Sequence, residues 1–557
     1  MRYNAFLPLF VARDSNDAVS IFPDLLDDRS RATAVEKTRS AKKRLFKALR
    51  AATRRPSTDT FHFHLQLNCW TMKRNVRVMK FGGTSVGDAQ CIERSAEIIA
   101  RAAQSSPVVA VVSAMGGVTN RLIEAAQRAA SGEEAMACEM IASLRTQHET
   151  ALQALVADPA ERSATGAEIE RICAHAMNLC RGTALLRELT PRTLAAISST
   201  GELLSARLMA ATLRRLGLKA QAVDATELII TDDQYEQAEP LMEETREASR
   251  RRLFALLDDG TTPVVTGFIG ATATGVLTTL GRGGSDYSAT ILGAALDAAE
   301  IIIWTDVDGV MTADPRLVPE ARTLDEISYA EAAELAYFGA KVLHPKTLRP
   351  ITEAGIPVWI RNSFAPDRRG TKITSAGHRA RNGVKAITAI GDVSLITVGG
   401  RGIVGAPEAV AKTFAATASA RANVLLISQA SSQNDICFVV PSKEAGKTLE
   451  ALRRAFAPDI QHHQVEHITV DHEVAIVAAV GEGMRGTLGI AGRIFSALGR
   501  EGINIIAIAQ GSSEYNISFV VEASAMKKAV ATIHKEFGLE GASAPRSETH
   551  ELQAERA

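Results

Sequence analysis

Cysteine is scarce: six residues in 557, at 69, 91, 138, 173, 180 and 437, with no CxxC spacing. That argues against a disulfide framework and leaves reduced core or surface thiols. There is no run of about 18 apolar residues, so no transmembrane helix is expected. Excess charge of either sign is also missing. Lys plus Arg and Asp plus Glu both total 63, which argues against a nucleic-acid binder. What is present is ordinary for a globular chain: 46% apolar and 23% charged residues, neither disordered nor collagen-like. At about 100–200 residues per domain the length predicts three or four domains.

Residues 1–72 differ from the rest. From Arg29 to Arg55 there are eleven Lys or Arg and one acid, Glu36. Segment 37–52 reads as a basic amphipathic helix with Leu45, Phe46 and Leu49 on one face. Such a stretch is compatible with an organelle transit peptide. Five Asp within residues 1–28 speak against it, and no signal-peptide order of charge, apolar core and cleavage site is seen. The favoured expectation is an extension outside the fold, with Met72 standing just before the first domain and the protein in the cytoplasm; organelle import stays open.

From Val76 onward strands and helices alternate. Val76–Phe81, Pro107–Ser113, Val264–Phe268 and Ile301–Thr305 are apolar runs bounded by turn residues, the pattern of strands buried on both faces of a parallel sheet. Helices are expected at about 89–103 and through most of 121–190, Thr193–Ser199 is read as opening another unit, and Pro357–Arg361 as closing this α/β part. Residues 364–383 carry Pro, Gly and charge and read as a linker. Beyond it lies a repeat: Phe414–Val440 aligns with Phe495–Val521, with Asn423-Val-Leu-Leu-Ile-Ser-Gln429 over Asn504-Ile-Ile-Ala-Ile-Ala-Gln510 and Ser431-Ser432 over Ser512-Ser513. Each copy reads helix, strand, turn, strand, with a further strand before each helix (Ser394–Val398 and Val474–Val480), and two copies can stack on a shared face.

Several loops carry candidate chemistry. Lys80-Phe-Gly82-Gly83-Thr-Ser follows a strand and opens a helix, so bare backbone N–H groups, a helix N-terminus and a cation converge where an anion would sit. It is not a Walker-type loop, and read structurally it is a tight turn with a solvated lysine. Ser113–Asn120, containing Ser113 and Thr119, is a second small-residue turn after a buried strand. Glu202, in Ser199-Thr-Gly-Glu, reads as an amine acceptor at a strand-to-helix junction or as a plain first-turn carboxylate. Leu280-Gly-Arg282-Gly-Gly-Ser-Asp286 sets one guanidinium fork among glycines, suited to a carboxylate, with Asp286 placed to hold Mg²⁺ or an amine. Trp304-Thr305-Asp306-Val-Asp-Gly-Val-Met311 and Asp314-Pro-Arg316 end another buried strand, and Arg316 is a candidate phosphate contact. Phe338-Gly-Ala-Lys341-Val342-Leu-His344-Pro345 adds a lysine after a glycine, with His344 read as structural. A polyphosphate site and a small-acid site together imply phosphoryl transfer to a small acid. No HExxH motif, Ser-His-Asp order or dinucleotide GxGxxG is read as supporting a rival chemistry.

These motifs, in this order, resemble the aspartokinases: an α/β amino-acid-kinase domain with a parallel-rich sheet sandwiched by helices, followed by paired α+β ACT domains (βαββαβ). The resemblance covers about residues 74–540 and is nearest to the kinase half of fused aspartokinase–homoserine dehydrogenases. It implies domains at 73–363 and 384–540 (copies about 393–470 and 471–540, the latter with strand 384–391), the linker 364–383, and tails at 1–72 and 541–557. It implies transfer of the γ-phosphoryl group of MgATP to L-aspartate, giving 4-phospho-L-aspartate, the entry to lysine, threonine and methionine. By resemblance Lys80, Gly82 and Gly83 hold the transferring phosphate. Glu202 takes the α-amino group and Arg282 the α-carboxylate, Ser113 and Thr119 lie in the site, and Asp286 orients substrate or metal. Thr305, Asp306, Met311, Arg316, Lys341 and Val342 line the ATP site, although the family often carries Tyr at the position of Met311. Feedback through Gln429 and Gln510 is expected, threonine favoured and lysine possible, in a homodimer or larger assembly. The dehydrogenase reaction is not expected, since no dinucleotide fingerprint follows Val521. The alternatives are another amino-acid kinase and a catalytically dead amino-acid sensor.

Overall fold

The computed structural model describes residues 75–339, 343–377, 380, 382–400, 407–429, 435–511 and 513–540. The expected basic helix at 37–52 lies outside the described residues. The first part begins β1 (Arg77–Phe81), α1 (Ala89–Ala103), β2 (Val108–Val112), then a helical layer of α2 (Val118–Ala130), α3 (Glu134–Leu155), α4 (Pro159–Leu186), α5 (Pro191–Ser198) and α6 (Thr200–Arg215). There follow β3 (Ala220–Val223), β4 (Ile230–Thr231), α7 (Met242–Asp258), β5 (Thr262–Thr266), β6 (Ile269–Thr272), β7 (Leu277–Thr279), α8 (Gly284–Leu296) and β8 (Glu300–Thr305). It closes with β9 (Glu326–Ser328), α9 (Tyr329–Tyr337), α10 (Pro345–Thr352), β10 (Val358–Asn362) and β11 (Thr371–Thr374). The main sheet has the order β3-β5-β2-β1-β8-β10-β11-β9. It is parallel except where β10 meets β11. Every residue of β2 and β5 is buried, as strands covered by helices on both faces must be.

Two local readings change. Pro191–Ser198 is a helix, not the start of a strand unit: Thr190 caps it, accepting the Thr193 N–H, and Pro191 occupies the first turn, a start signal that outweighs the β-branched residues after it. Thr371–Thr374, inside the stretch read as linker, is a strand of the main sheet. Four residues are too few for periodicity to register.

The second part runs β12 (Ala386–Gly399), α11 (Pro407–Ser419), β13 (Leu426–Gln429), β14 (Asp435–Pro441), α12 (Ser442–Ala455), α13 (Ala457–Gln461), β15 (His467–Val480), α14 (Ile490–Arg500), β16 (Ala507–Ala509), β17 (Asn516–Glu522) and α15 (Met526–Glu536). Its antiparallel sheet has the order β13-β14-β12-β15-β17-β16. The repeat is present down to its packing: Phe414 meets Phe438 at 5.9 Å in one copy, and Phe495 meets Phe519 at 6.0 Å at the matching places in the other. The strands β12 and β15 are 14 residues each and pair along nearly their whole length, with a register break at Ile390/Val393. Ala386–Ile390 therefore lies in the second copy's half of the sheet and Val393–Gly399 in the first's. Gly400-x-Gly402-x-x-Gly405 follows β12, but an antiparallel strand is not the βαβ setting a dinucleotide loop needs.

One short helix bolts the two parts together. Glu331 of α9 closes a capping box with Ser328, ion-pairs Lys385 Nζ at 2.6 Å and accepts the Glu482 N–H at 2.7 Å. Glu331 is fully buried and Lys385 nearly so. Along the same helix Glu334 accepts from Asn516 Nδ2, Tyr337 Oη donates to the Val424 carbonyl at 2.9 Å, and the Phe338 carbonyl accepts from Thr388 Oγ1 at 2.7 Å. Lys385→Met strands a buried carboxylate and is expected to lower stability by about 3 kcal/mol. Adding Glu331→Gln recovers part of that, because the orphaned charge is gone. Equal thermal midpoints for the single and double variants contradict this account.

Candidate active site

Lys80 stands at the C-terminal end of the central strand β1, in register with Val111 on one side and Ile303 on the other. Its side chain is 9% exposed, so it is not the solvated lysine of the structural alternative. A cation so placed needs partners. Asp286 supplies one, its carboxylate 2.6 Å from Nζ, and Glu202 faces the same cation. Asp286 lies in the first turn of α8, behind Gly283, whose φ of +71° provides the left-handed corner. A Cβ there would also press to 3.0 Å from His344 Cβ. His344 itself caps α10 through Nδ1, a structural role.

Glu202 lies in the first turn of α6, at a helix–helix junction rather than after a strand. Gly201 makes that junction possible: a Cβ on it would lie 2.6 Å from Ala114 Cβ, so only glycine lets α6 approach the loop after β2. Burial pushes the Glu202 carboxyl up to about 8, against the opposing pull of the Ala114 and Glu202 backbone N–H groups and of Lys80. Its Oε2 is buried with no partner among the described residues. A buried acid with a free oxygen facing a cavity is a ready receptor for a ligand ammonium.

These side chains surround a cavity of about 620 Å³ walled by Lys80, Gly83, Ser113, Thr119, Glu202, Arg282 and Asp286, with Asn120, Glu236, Phe268 and Ser285 among the rest. The volume suits a small-molecule site. Arg282 makes no hydrogen bond or ion pair with the described residues and is free to turn toward a ligand. Of the two glycine amides expected at the phosphate, that of Gly82 donates to the Trp304 carbonyl at 3.1 Å. Thr305, Asp306, Met311 and Arg316 lie off the cavity wall. Arg316 is exposed and held by Asp314, and Thr305 Oγ1 bonds Asp306 at 3.1 Å. Lys341 and Val342 lie outside the described residues. Gln429 ends β13 and Gln510 follows β16, both exposed, while Ser431, Ser432 and Ser512 are outside the described residues.

Phe268, read in the sequence as the end of a buried strand, lies beyond β5, which stops at Thr266. It has φ of +70°, uncommon for a bulky residue. It is held there by its N–H to Ser288 Oγ at 2.9 Å and its carbonyl to the Leu280 N–H at 2.8 Å. Nothing in a Gly-Phe pair after a strand announces that conformation.

A parallel sheet with two glycine-lined loops and a buried lysine–carboxylate cluster at its strand ends defines a phosphotransferase site of the amino-acid-kinase kind. Residues 75–362 match the amino acid kinase family, and 396–456 and 477–537 each match an ACT domain. A chloroplastic aspartokinase 1 from Arabidopsis thaliana is 36% identical, covering 83% of this chain and 80% of the relative. A bifunctional aspartokinase/homoserine dehydrogenase 2 from the same plant is 36% identical over 83% of the chain. The chain spans about half the length of the bifunctional relatives it matches. Among solved structures, E. coli aspartokinase III with aspartate and ADP is 32% identical with a TM-score of 0.68, covering 83% of this chain and 99% of that one. The same enzyme is known with lysine and aspartate in a T-state. The chain belongs to the aspartokinases within the amino acid kinase family. No helix among the described residues is long and apolar enough to cross a membrane.

Glu202 gives a pH signature. If its ionised form receives the ligand ammonium, KM for the amino-acid substrate rises on the order of tenfold between pH 8 and pH 6.5. Glu202→Gln raises that KM and flattens its pH dependence. The sign for stability follows from a folded-state value near 8 above an ordinary one near 4.5. Wild-type stability falls as pH rises from about 4.5 to 8, because the unfolded chain releases the proton first. Glu202→Gln therefore gains thermal stability over wild type from pH 5 to pH 8.5. A gap that does not widen over that range contradicts the assignment.

Proposed function

We propose that the chain transfers the γ-phosphoryl group of MgATP to the β-carboxylate of L-aspartate, giving 4-phospho-L-aspartate and ADP, the first step toward lysine, threonine and methionine. The observation that carries this reading is the cluster of Lys80, Asp286 and Glu202 on one cavity with Arg282 at its edge. The aspartate β-carboxylate is ionised at neutral pH, with a reference pKa of about 4, and needs no general base. The work left for the protein is positioning and charge neutralisation. Arg282 takes the α-carboxylate and Glu202 the α-ammonium, with Ser113 and Thr119 beside them. Lys80, released from Asp286 as phosphate enters, offsets charge on the transferring oxygens, with the Gly83 amide close by. Thr305, Asp306, Met311, Arg316, Lys341 and Val342 serve the nucleotide, and the amide of Gly82 stays with the sheet.

Mg²⁺ fits as part of MgATP. Asp286 is the cavity carboxylate that would hold it on the protein side, and the ion would neutralise charge on the phosphates. The kinase domain of this reading begins at 73 and extends beyond the expected limit of 363 to take in β11, ending at 374, and the ACT pair is 384–540. Feedback by an end-product amino acid acts through the Gln429 and Gln510 ends, threonine before lysine. A homodimer or larger assembly forms across the ACT edges, where Ile427 and Ile508 are about half exposed. The cytoplasm is the proposed compartment.

Trapping acyl phosphate with hydroxylamine tests the reaction: aspartyl hydroxamate should accumulate with aspartate and ATP and not with acetylglutamate or glutamate. Lys80→Ala should lower kcat by on the order of a hundredfold or more with the fold intact, and a near-normal kcat defeats the role. Arg282→Lys should raise KM for aspartate more than KM for ATP, since an ammonium cannot reproduce a planar fork. For regulation, inhibition curves with threonine and lysine are compared in wild type, Gln429→Ala and Gln510→Ala. Lysine inhibition untouched by either change, with no response to threonine, removes the assignment of both glutamines.

A further inference from the structure

The loop between β8 and β9 carries Met311 and Arg316, yet much of its support comes from the far end of the chain. Ala313 and Val318, each 3% exposed, belong to the same apolar cluster as Ile494, Leu498, Val530 and Ile533 of α14 and α15. Between the loop's two arms sits Thr312, fully buried. Its N–H donates to the Arg322 carbonyl at 2.8 Å, and its own carbonyl accepts the Ile387 N–H of β12 at 2.8 Å. Its hydroxyl accepts the Arg322 N–H at 3.0 Å and lies 3.0 Å from Nε2 of His534, on α15.

The Thr312 hydroxyl oxygen receives one N–H and keeps a second lone pair and its own proton, so it meets His534 Nε2 in either tautomer of the ring. Burial lowers the affinity of this imidazole for a second proton. Nδ1 is buried with no hydrogen-bond partner among the described residues. An apolar pair would fill this place without leaving a buried ring nitrogen unpaired. What a directional bond adds is a fixed height and rotation of the loop relative to α15.

We propose that the Thr312–His534 bond is the joint through which the second ACT copy sets the nucleotide loop, so that both are positioning residues for ATP and not for aspartate. This rests on the reading above in which Met311 and Arg316 serve the nucleotide. Neither Thr312 nor His534 borders the cavity. They act through the loop, and aspartate recognition by Glu202 and Arg282 does not depend on them.

The test uses the full chain and the hydroxamate assay with both substrates varied. Thr312→Val removes the hydroxyl, and His534→Asn withdraws the polar atom from the Nε2 position. Each should raise KM for ATP by about threefold or more with KM for aspartate unchanged, the size expected of an indirect coupling. Thr312→Ser and His534→Gln, which keep a hydroxyl and a polar atom at the Nε2 place, should restore it. A merely structural contact lowers the thermal midpoint without splitting the two KM values, and that result, or a proportional rise in both, overturns the proposal. If His534→Asn does not fold, Val318→Ala loosens the same loop without touching a buried polar group, and a selective rise in KM for ATP or its absence decides. If wild type forms no hydroxamate, the reaction assigned above is wrong, and calorimetric titration with ADP still reads the joint. Weaker ADP binding in Thr312→Val, restored in Thr312→Ser, supports it, and equal binding overturns it.

Discussion

A charged lysine on the central strand of a parallel sheet has to be answered, and much of this site is the answer. Lys80 sits between strands of Val and Ile, nearly out of water, where an unpaired charge is costly. Asp286 is brought to it by a helix that begins on a left-handed glycine. Glu202 is brought by a helix whose second residue must lack a side chain to pass Ala114. The glycines are thus spent on approach as much as on flexibility. The two acids have unequal partners. Asp286 is paired at contact distance, while Glu202 keeps an oxygen facing the cavity and leans toward its protonated form. One acid pairs the cation at contact distance and the other is left without a partner on one oxygen.

The same economy joins the kinase part to the ACT pair. Glu331 caps its own helix, pairs a lysine from β12 and accepts an N–H from the loop after β15. Nearly all polar ties of α9 reach the second copy's half of the sheet, while the first copy is touched through Tyr337. The loop between β8 and β9 follows the same division, resting on α14 and α15. A ligand that shifts the second copy therefore has two short routes into the kinase part, one through α9 and one through Thr312. Such routes transmit a bias only so far as the ligand prefers one arrangement of the copy over another.

Much of this was legible in the residues. Continuous apolar runs between turns marked β1, β2, β5 and β8, because strands buried on both faces have no polar side to show. The repeat was visible because each copy preserves an aromatic clasp, Phe414 with Phe438 and Phe495 with Phe519. The glycine-flanked Arg282 and Asp286 stood out because packing alone rarely calls for that composition. Other features had no local signal. Thr371–Thr374 is too short for a period. The Thr190-Pro191 start was read past, with Thr193–Ser199 read as opening another unit. The torsion of Phe268 and the bond from Thr312 to His534, 222 positions apart, are products of tertiary packing. The sharing of β12 and β15 between copies was hidden for a different reason: a strand that changes partners halfway keeps the same alternation throughout.

That sharing makes the duplicated region something other than two modules in tandem. A cut placed between the copies, anywhere from Gln461 to His467, leaves β12 whole in one fragment and β15 whole in the other, so that Ala386–Ile390 and His467–Asp471 are each parted from the strand they pair with. Neither fragment owns a complete sheet. The pair must be gained, lost and inherited together. A gene rearrangement that borrowed one copy would carry away an unfinished object, whereas one that borrowed both would move a working part. The repeat is two in sequence and one in inheritance.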